Sequence, residues 1–104
     1  MGYKFEVTIE AEIDTQEAID YYSAINGSLA ERLLDDLALV FSKVAANPQF
    51  YKYIPKKRHG KYRYTKLKTF PYVVVYRVED TSVVIYRVFN THRKPWYEQG
   101  KMKK

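Results

Sequence analysis

The stretch SLAERLLDDLALVFSKVAANP, residues 28–48, predicts the central helix of the fold. Apolar side chains recur in it at helical spacing, and the charged ones fall largely on the other side. The apolar stripe consists of Leu29, Leu33, Leu37, Val40, Phe41 and Val44. Ser28 and Glu31 have the spacing of a capping box, and Asn47-Pro48 ends the helix because proline cannot continue it. We therefore expect an amphipathic helix with one face against the core.

A strand and a shorter helix are predicted upstream of this stretch. From Tyr3 to Ile9, apolar and polar residues alternate with the period of two that a half-buried strand requires. Asp14 and Glu17 fit a capping pair, which places the first helix from about that point to Ile25. Asn26-Gly27 breaks this helix, because both residues tolerate the left-handed conformation at a helix end.

Downstream, the pattern predicts an exposed basic loop and then three strands. The loop runs from Gln49 to Lys61, contains Pro55 and Gly60, and carries four consecutive basic or imidazole side chains. The strand-like segments, the last two joined by a turn near Asp80, are Tyr62 to Leu67, Phe70 to Val78 and Val83 to Phe89.

The predicted order is strand, helix, helix and three strands, with the two kinds of element segregated along the chain. Such an order indicates an α+β fold, in which two helices pack on one face of a mostly antiparallel four-stranded sheet. With 104 residues, the chain has material for one core, so we expect a single domain over residues 1–104. The tail over residues 95–104 is expected to be flexible.

Composition excludes several kinds of site. There is no cysteine, and His59 and His92 are the only histidines, so we expect no disulfide, no metal site and no cofactor. The N-terminus lacks a long apolar run, so we expect a cytoplasmic protein without a membrane partner. Lys and Arg number 18 against 12 Asp and Glu, and the net charge of +6 favours a nucleic acid or an acidic protein as partner.

Several local motifs, taken together and in order, resemble the RelE/ParE toxin superfamily from Tyr3 to Trp96. The motifs are Ala18-Ile19-Asp20-Tyr21-Tyr22, Leu29-Ala30-Glu31-Arg32-Leu33-Leu34, Asn47-Pro48, Tyr62-Arg63, Phe70-Pro71-Tyr72, Val75-Tyr76 and Val88-Phe89-Asn90-Thr91-His92-Arg93-Lys94-Pro95. Phe-Pro-Tyr at the start of the central strand is more similar to the plasmid-stabilisation branch of the superfamily than to RelE itself.

This resemblance implies the toxin of a bacterial type II toxin–antitoxin pair, with a cognate antitoxin as partner. It leaves the target open between two kinds. The toxin either cuts messenger RNA on the ribosome, as a metal-independent endoribonuclease, or inhibits DNA gyrase by binding, as a ParE-like toxin without chemistry. A third alternative is a non-toxic relic that only binds the antitoxin. The oligomeric state is not predicted.

The nuclease alternative needs an acid or base with a pKa near neutrality and cations at the scissile phosphate. His92 and Arg93, just past the last strand, together with Lys66, are the catalytic candidates that the resemblance implies. The nucleic-acid-binding candidates are Lys56, Lys57, Arg58, His59, Lys61 and Arg63. Since positions 63 and 66 differ by an odd number, their side chains should point to opposite faces of a strand.

The chain departs from the nuclease pattern at two positions of the predicted sheet. Val73 stands where the resemblance implies an arginine, and Tyr64 replaces a lysine. Plainer interpretations also stand beside the functional ones. The basic run in the loop can simply keep the protein soluble, His92 can be a solvated residue after a strand, and the tyrosines suit sheet packing better than base stacking.

Overall fold

Six elements form in the order that the sequence predicts. The computed structural model describes residues 3–54 and 61–92. In chain order, its strands and helices are β1 Lys4–Val7, α1 Ile9–Ile25, α2 Gly27–Ala46, β2 Arg63–Lys66, β3 Tyr72–Glu79 and β4 Ser82–Asn90. Neither helix has the length and apolar character that crossing a lipid bilayer needs, as far as the described residues extend.

The four strands form one sheet in the order β1-β4-β3-β2. β1 is parallel to β4, whereas β4, β3 and β2 pair antiparallel. The predicted α+β fold with a mostly antiparallel sheet is thus confirmed. The turn between β3 and β4 also lies where it was expected, and Asp80 adopts a φ of 49° there, a left-handed conformation that Asp tolerates in tight turns.

The first helix begins earlier than the sequence predicts. Thr8, and not Asp14, is its N-cap: the Thr8 side chain accepts a hydrogen bond from the Ala11 amide at 3.0 Å. The Thr8 hydroxyl in turn donates to the carbonyl of Tyr86 on β4 at 2.8 Å. This long-range bond fixes the start of α1 beside β4, which leaves Asp14 inside the helix and shortens β1.

The boundary between the two helices depends on Asn26. Its side-chain oxygen accepts a hydrogen bond from the Ser28 amide at 2.8 Å, so Asn26 caps α2 in the place predicted for Ser28. The end of α2 before Asn47-Pro48 is as predicted.

Both helices cover one face of the sheet, which we call the first face. The core between the helices and this face contains the predicted apolar stripe of α2, except for Leu29, and alternate residues of the strands. Its main helical members are Ala11, Ala18, Leu33, Leu37, Val40 and Val44, and its main strand members are Tyr72, Val74, Tyr76, Val83, Ile85 and Val88.

The opposite face of the sheet, which we call the second face, carries a separate apolar cluster. Four buried residues and three half-buried tyrosines form this second-face cluster: Ile54, Val73, Val75, Phe89, Tyr62, Tyr64 and Tyr86. Consecutive β3 residues 72–76 are therefore buried on both sides, which explains why this strand reads as a continuous apolar run and not as an alternation.

Candidate functional site

The two basic residues of β2 point to opposite faces of the sheet, as the sequence predicts. Arg63 lies opposite Tyr76, a residue of the first-face core, and Lys66 lies opposite Val73 of the second-face cluster. Side chains of directly opposed residues share a face in an antiparallel pair. Arg63 and Lys66 therefore cannot act on the same ligand group from one face.

Arg63 holds residues 49–53, which we call the clamped segment, against β2. Its Nη1 donates to the carbonyl of Tyr51 at 2.7 Å and to that of Gln49 at 3.1 Å, and its Nη2 donates to the hydroxyl of Tyr53 at 2.7 Å. The guanidinium carbon lies 4.0 Å from the Tyr53 ring centroid. The planar guanidinium group carries several N–H donors in a fixed arrangement and suits this task better than the ammonium group of a lysine would. Arg63 therefore has a structural role whatever else it binds.

Tyr76 fixes the chain just before the clamped segment. Its ring is fully buried, and its hydroxyl donates to the carbonyl of Pro48. Burial raises the pKa of Tyr76 to about 12, partly opposed by the positive charge of Arg63. The phenol is therefore neutral at physiological pH and serves as a hydrogen-bond donor.

The structure does not bring Arg63 and His92 together. Arg63 lies opposite Tyr76, which pairs with Ile85, whereas His92 follows the far end of β4. With strands about 4.8 Å apart and about 3.3 Å per residue, the backbones of Arg63 and His92 are separated by roughly 20–25 Å. The His92 side chain is exposed, and its amide donates to the Asn90 side chain at 2.8 Å.

Lys66 is closer to the end of β4 but is still two strands away. It lies in one row with Val73 and Phe89, so about 10 Å of apolar sheet separates its backbone from that of β4. Lys61 is exposed, with its ammonium 6.0 Å from the Tyr62 ring centroid. The other predicted site residues, Lys56, Lys57, Arg58, His59 and Arg93, lie outside the described residues.

Tyrosine rings dominate the half-buried part of the second face. The Tyr62 and Tyr86 ring centroids are 4.7 Å apart with an interplanar angle of 33°. The Arg77 guanidinium lies 5.7 Å from the Tyr62 centroid, and its Nη1 donates to the Tyr62 hydroxyl at 3.3 Å. The Arg77 side chain also pairs with Glu79. The ring of Tyr62 therefore packs on protein groups, which agrees with the plainer interpretation of the tyrosines.

A cavity of about 550 Å³ lies between α1 and the end of β4. On one side of it, the Asp14 carboxylate accepts hydrogen bonds from Arg87 Nε at 2.7 Å, Arg87 Nη2 at 2.9 Å and the Val88 amide at 2.9 Å. The hydrogen bond to Asp14 raises the pKa of Arg87, although burial by itself would lower it. Within residues 3–54 and 61–92, no three His, Asp or Glu side chains are arranged to hold a metal ion.

Sequence reasoning missed both this ion pair and the second-face cluster. Asp14 and Arg87 are 73 positions apart, and Asp14 has the local spacing of a helix cap. For the cluster, a signal did exist. A strand with one solvated face would carry polar residues at positions 73 and 75, whereas this chain has Val73 and Val75. The apolar character of both faces of β3 was therefore readable, although the residues packed against them were not.

Residues 5–95 match the family described as the ParE toxin of the type II toxin–antitoxin system parDE. Among solved structures, the chain is similar to one chain of the chromosomal ParDE TA system from P. aeruginosa. The TM-score is 0.72 at 18% sequence identity, over 85% of this chain and 95% of that chain, which indicates a shared fold. No curated protein matches the chain at a significant level.

Proposed function

The chain belongs to the ParE toxin family of type II toxin–antitoxin systems, and from that premise we propose that it inhibits DNA gyrase by binding and does not cut messenger RNA. The proposal places the toxin in the cytoplasm, where a cognate antitoxin neutralises it. The family match covers most of the chain and supports the toxin and antitoxin parts of this proposal. The choice of gyrase over messenger RNA is argued from the site.

The apolar second face is the observation that carries the choice. Cleavage of RNA requires cations at the phosphate and a positioned acid or base, and both must face the substrate. On the second face, Val73 stands where a nuclease of this superfamily is expected to have an arginine, and Val73 has 0% exposure. Tyr64 stands where a lysine is expected and packs in the same cluster.

The dispersed positions of the predicted nuclease residues support the same choice. Arg63 donates to three acceptors of the clamped segment on the first-face side. Lys66 lies on β2, whereas His92 follows the end of β4, and β3 with Val73 lies between the two strands. In the described ranges, these three side chains do not converge on one phosphate-sized space, whereas a toxin that acts by binding requires no such convergence.

The experiment must also distinguish the two alternatives, a nuclease and a relic that binds only an antitoxin. The basic run of residues 56–59 and Arg93 remain predictions of the nuclease interpretation, because they lie outside the described residues. A relic that binds only an antitoxin would inhibit neither gyrase nor translation.

A supercoiling assay with purified gyrase tests the proposal. We expect the purified toxin to inhibit ATP-dependent supercoiling of relaxed plasmid in a dose-dependent way, and His92→Ala to inhibit equally. Ribosomes programmed with a defined messenger RNA form the parallel reaction, in which we expect no new RNA ends. Normal supercoiling at high toxin concentration, with ribosome-dependent cleavage that His92→Ala abolishes, would overturn the proposal in favour of the nuclease.

A further inference from the structure

The first helix buries small side chains and exposes large ones. Its buried residues are Ala11 and Ala18. Four large apolar side chains of the same helix face solvent, with exposures of 72% for Ile9, 51% for Ile13, 60% for Tyr21 and 58% for Ile25. Large apolar side chains are normally the ones that a helix turns toward the core. Their exposure on α1 therefore indicates a surface that another molecule covers.

These four side chains lie in one row along the helix. Positions 9, 13, 17, 21 and 25 follow one another at intervals of four, which in an α-helix forms a continuous ridge. We call these five residues the outer ridge, and its middle member is Glu17, which is also exposed. At 1.5 Å per residue, the outer ridge is about 24 Å long. On α2, by contrast, the exposed Leu34 and Leu39 are five positions apart and lie on different sides of the helix.

The charge of α1 selects the class of partner. The helix carries five Asp or Glu side chains and no Lys or Arg, although the whole chain has a net charge of +6. Glu10, Glu17 and Asp20 lie on or beside the outer ridge, and all three are exposed. A second copy of the toxin would oppose this surface with the same negative charge, and an antitoxin acidic enough to complement the net charge would be repelled here too. The outer ridge therefore suits a partner surface that is basic around an apolar centre.

The cavity between α1 and β4 adds a pocket beside the outer ridge. Glu17 and Tyr21 belong to its lining, and the rings of Tyr21 and Tyr22 meet there edge to face with centroids 4.9 Å apart. A carboxylate beside aromatic rings attracts an Arg or Lys side chain through its charge and through cation–π contact. Arg87 also lines the cavity, but its guanidinium already donates two hydrogen bonds to Asp14. The cavity therefore has the chemistry to receive a basic side chain of a partner.

We infer that the outer ridge is the surface with which the toxin binds DNA gyrase, at a patch of the enzyme that is rich in Lys and Arg around an apolar centre. Ile9, Ile13 and Ile25 supply the apolar contact, and a basic side chain of gyrase enters the cavity beside Glu17. Gyrase suits this surface because an enzyme that holds DNA carries clusters of Lys and Arg for the phosphates. The inference rests on the proposed function, since gyrase is the partner.

A matched pair of substitutions tests the apolar contact. Ile13→Ala shortens an apolar side chain of the outer ridge. Leu39→Ala, at a comparably exposed position of α2, is its control. Both changes raise helix propensity, so both variants should fold, and thermal unfolding checks this.

A second matched pair tests the charge. The double variant Glu17→Gln with Asp20→Asn removes two exposed negative charges from α1. Its control, Glu31→Gln with Asp35→Asn, removes two exposed negative charges from α2. These changes leave helix propensity nearly unaltered, so a difference between the two double variants reports the location of the charge.

Association and dissociation of the full-length toxin on immobilised gyrase are measured at low and at high salt. We expect Ile13→Ala to weaken binding about fivefold or more, chiefly through faster dissociation, because it removes apolar contact area. The double variant on α1 should slow association about threefold or more at low salt, and the difference should shrink at high salt, which screens the attraction. Both α2 controls should bind within about twofold of the unsubstituted toxin.

Binding of both α1 variants within about twofold of their α2 controls, to a gyrase that the unsubstituted toxin inhibits, would overturn the inference and leave the proposed function in place. An unsubstituted toxin that neither binds nor inhibits gyrase would overturn both. The purified protein encoded next to the toxin gene is titrated against the same variants. Loss of binding to that protein, with unchanged binding to gyrase, would assign the outer ridge to the antitoxin and contradict the inference.

Discussion

Replacing Asp14 by alanine should destabilise the protein, because this side chain attaches α1 to β4. The Asp14 carboxylate accepts three hydrogen bonds, two from the Arg87 guanidinium and one from the Val88 amide. These bonds attach α1 to the part of β4 that β1 does not cover, since β1 pairs only with residues 82–85. Asp14→Ala leaves all three donors without their acceptor.

The size of the effect follows from exposure. Removing one partner of a fully buried ion pair costs about 3–5 kcal/mol. The side chains of Arg87 and Asp14 are 30% and 12% exposed, so water can rehydrate part of the guanidinium, and the expected cost falls to about 2–3 kcal/mol. For a domain of this size, that cost corresponds to a decrease in Tm on the order of 10 °C.

Thermal and urea unfolding, followed by circular dichroism, measure this cost. Asp20→Ala is the matched control, because it makes the same change on the same helix and removes only one exposed hydrogen bond from Gln16. The gain in helix propensity on replacing Asp by Ala cancels in the comparison. A Tm for Asp14→Ala within about 2 °C of that for Asp20→Ala would refute the reasoning from burial and hydrogen bonding.

Three further changes test other parts of the structure. Arg63→Ala should cost about 2 kcal/mol and accelerate amide hydrogen exchange in residues 49–53, and unchanged protection there would contradict the clamp. Because burial raises the pKa of Tyr76 to about 12 from an ordinary 10.0, its neutral phenol stabilises the fold below pH 10, and that stability is lost as the pH rises to 12. Tyr76→Phe, which lacks the hydrogen bond to Pro48, should be less stable at pH 7 but lose less stability in alkaline unfolding, and an unaltered pH profile would count against this. Val73→Arg should cost at least about 3 kcal/mol, because it buries an unpaired charge, and a Tm equal to that of the parent would show that the second face accepts a cation.

Local sequence signals predicted the elements whose causes are local. The apolar stripe of α2 and the proline after Asn47 lie within one stretch, and the helix ends where they indicate. The start of α1 was predicted wrongly because its cause is distant. Asp14 and Glu17 satisfy the local capping rule, but Thr8 competes for the same role and is fixed by the carbonyl of Tyr86, 78 positions away.

The candidate site shows the same limit. The odd separation of positions 63 and 66 correctly placed Arg63 and Lys66 on opposite faces of β2, since the side chains of a strand alternate between its faces by geometry alone. The partners of Arg63 were not predictable in this way, because two of its three acceptors are backbone carbonyls, which residue identity does not encode. Positive charge in the sequence therefore identified candidate binding residues. The fold determines which of these side chains already bond to other groups of the protein.

The order in which DNA synthesis and protein synthesis stop tests the proposed inhibition of gyrase most directly. The toxin is induced in a bacterial host without its antitoxin, and the incorporation of labelled thymidine and labelled methionine is followed in parallel. A toxin that binds gyrase should stop thymidine incorporation first, while methionine incorporation continues. Early loss of methionine incorporation with continuing DNA synthesis would contradict the account, and so would normal incorporation of both labels.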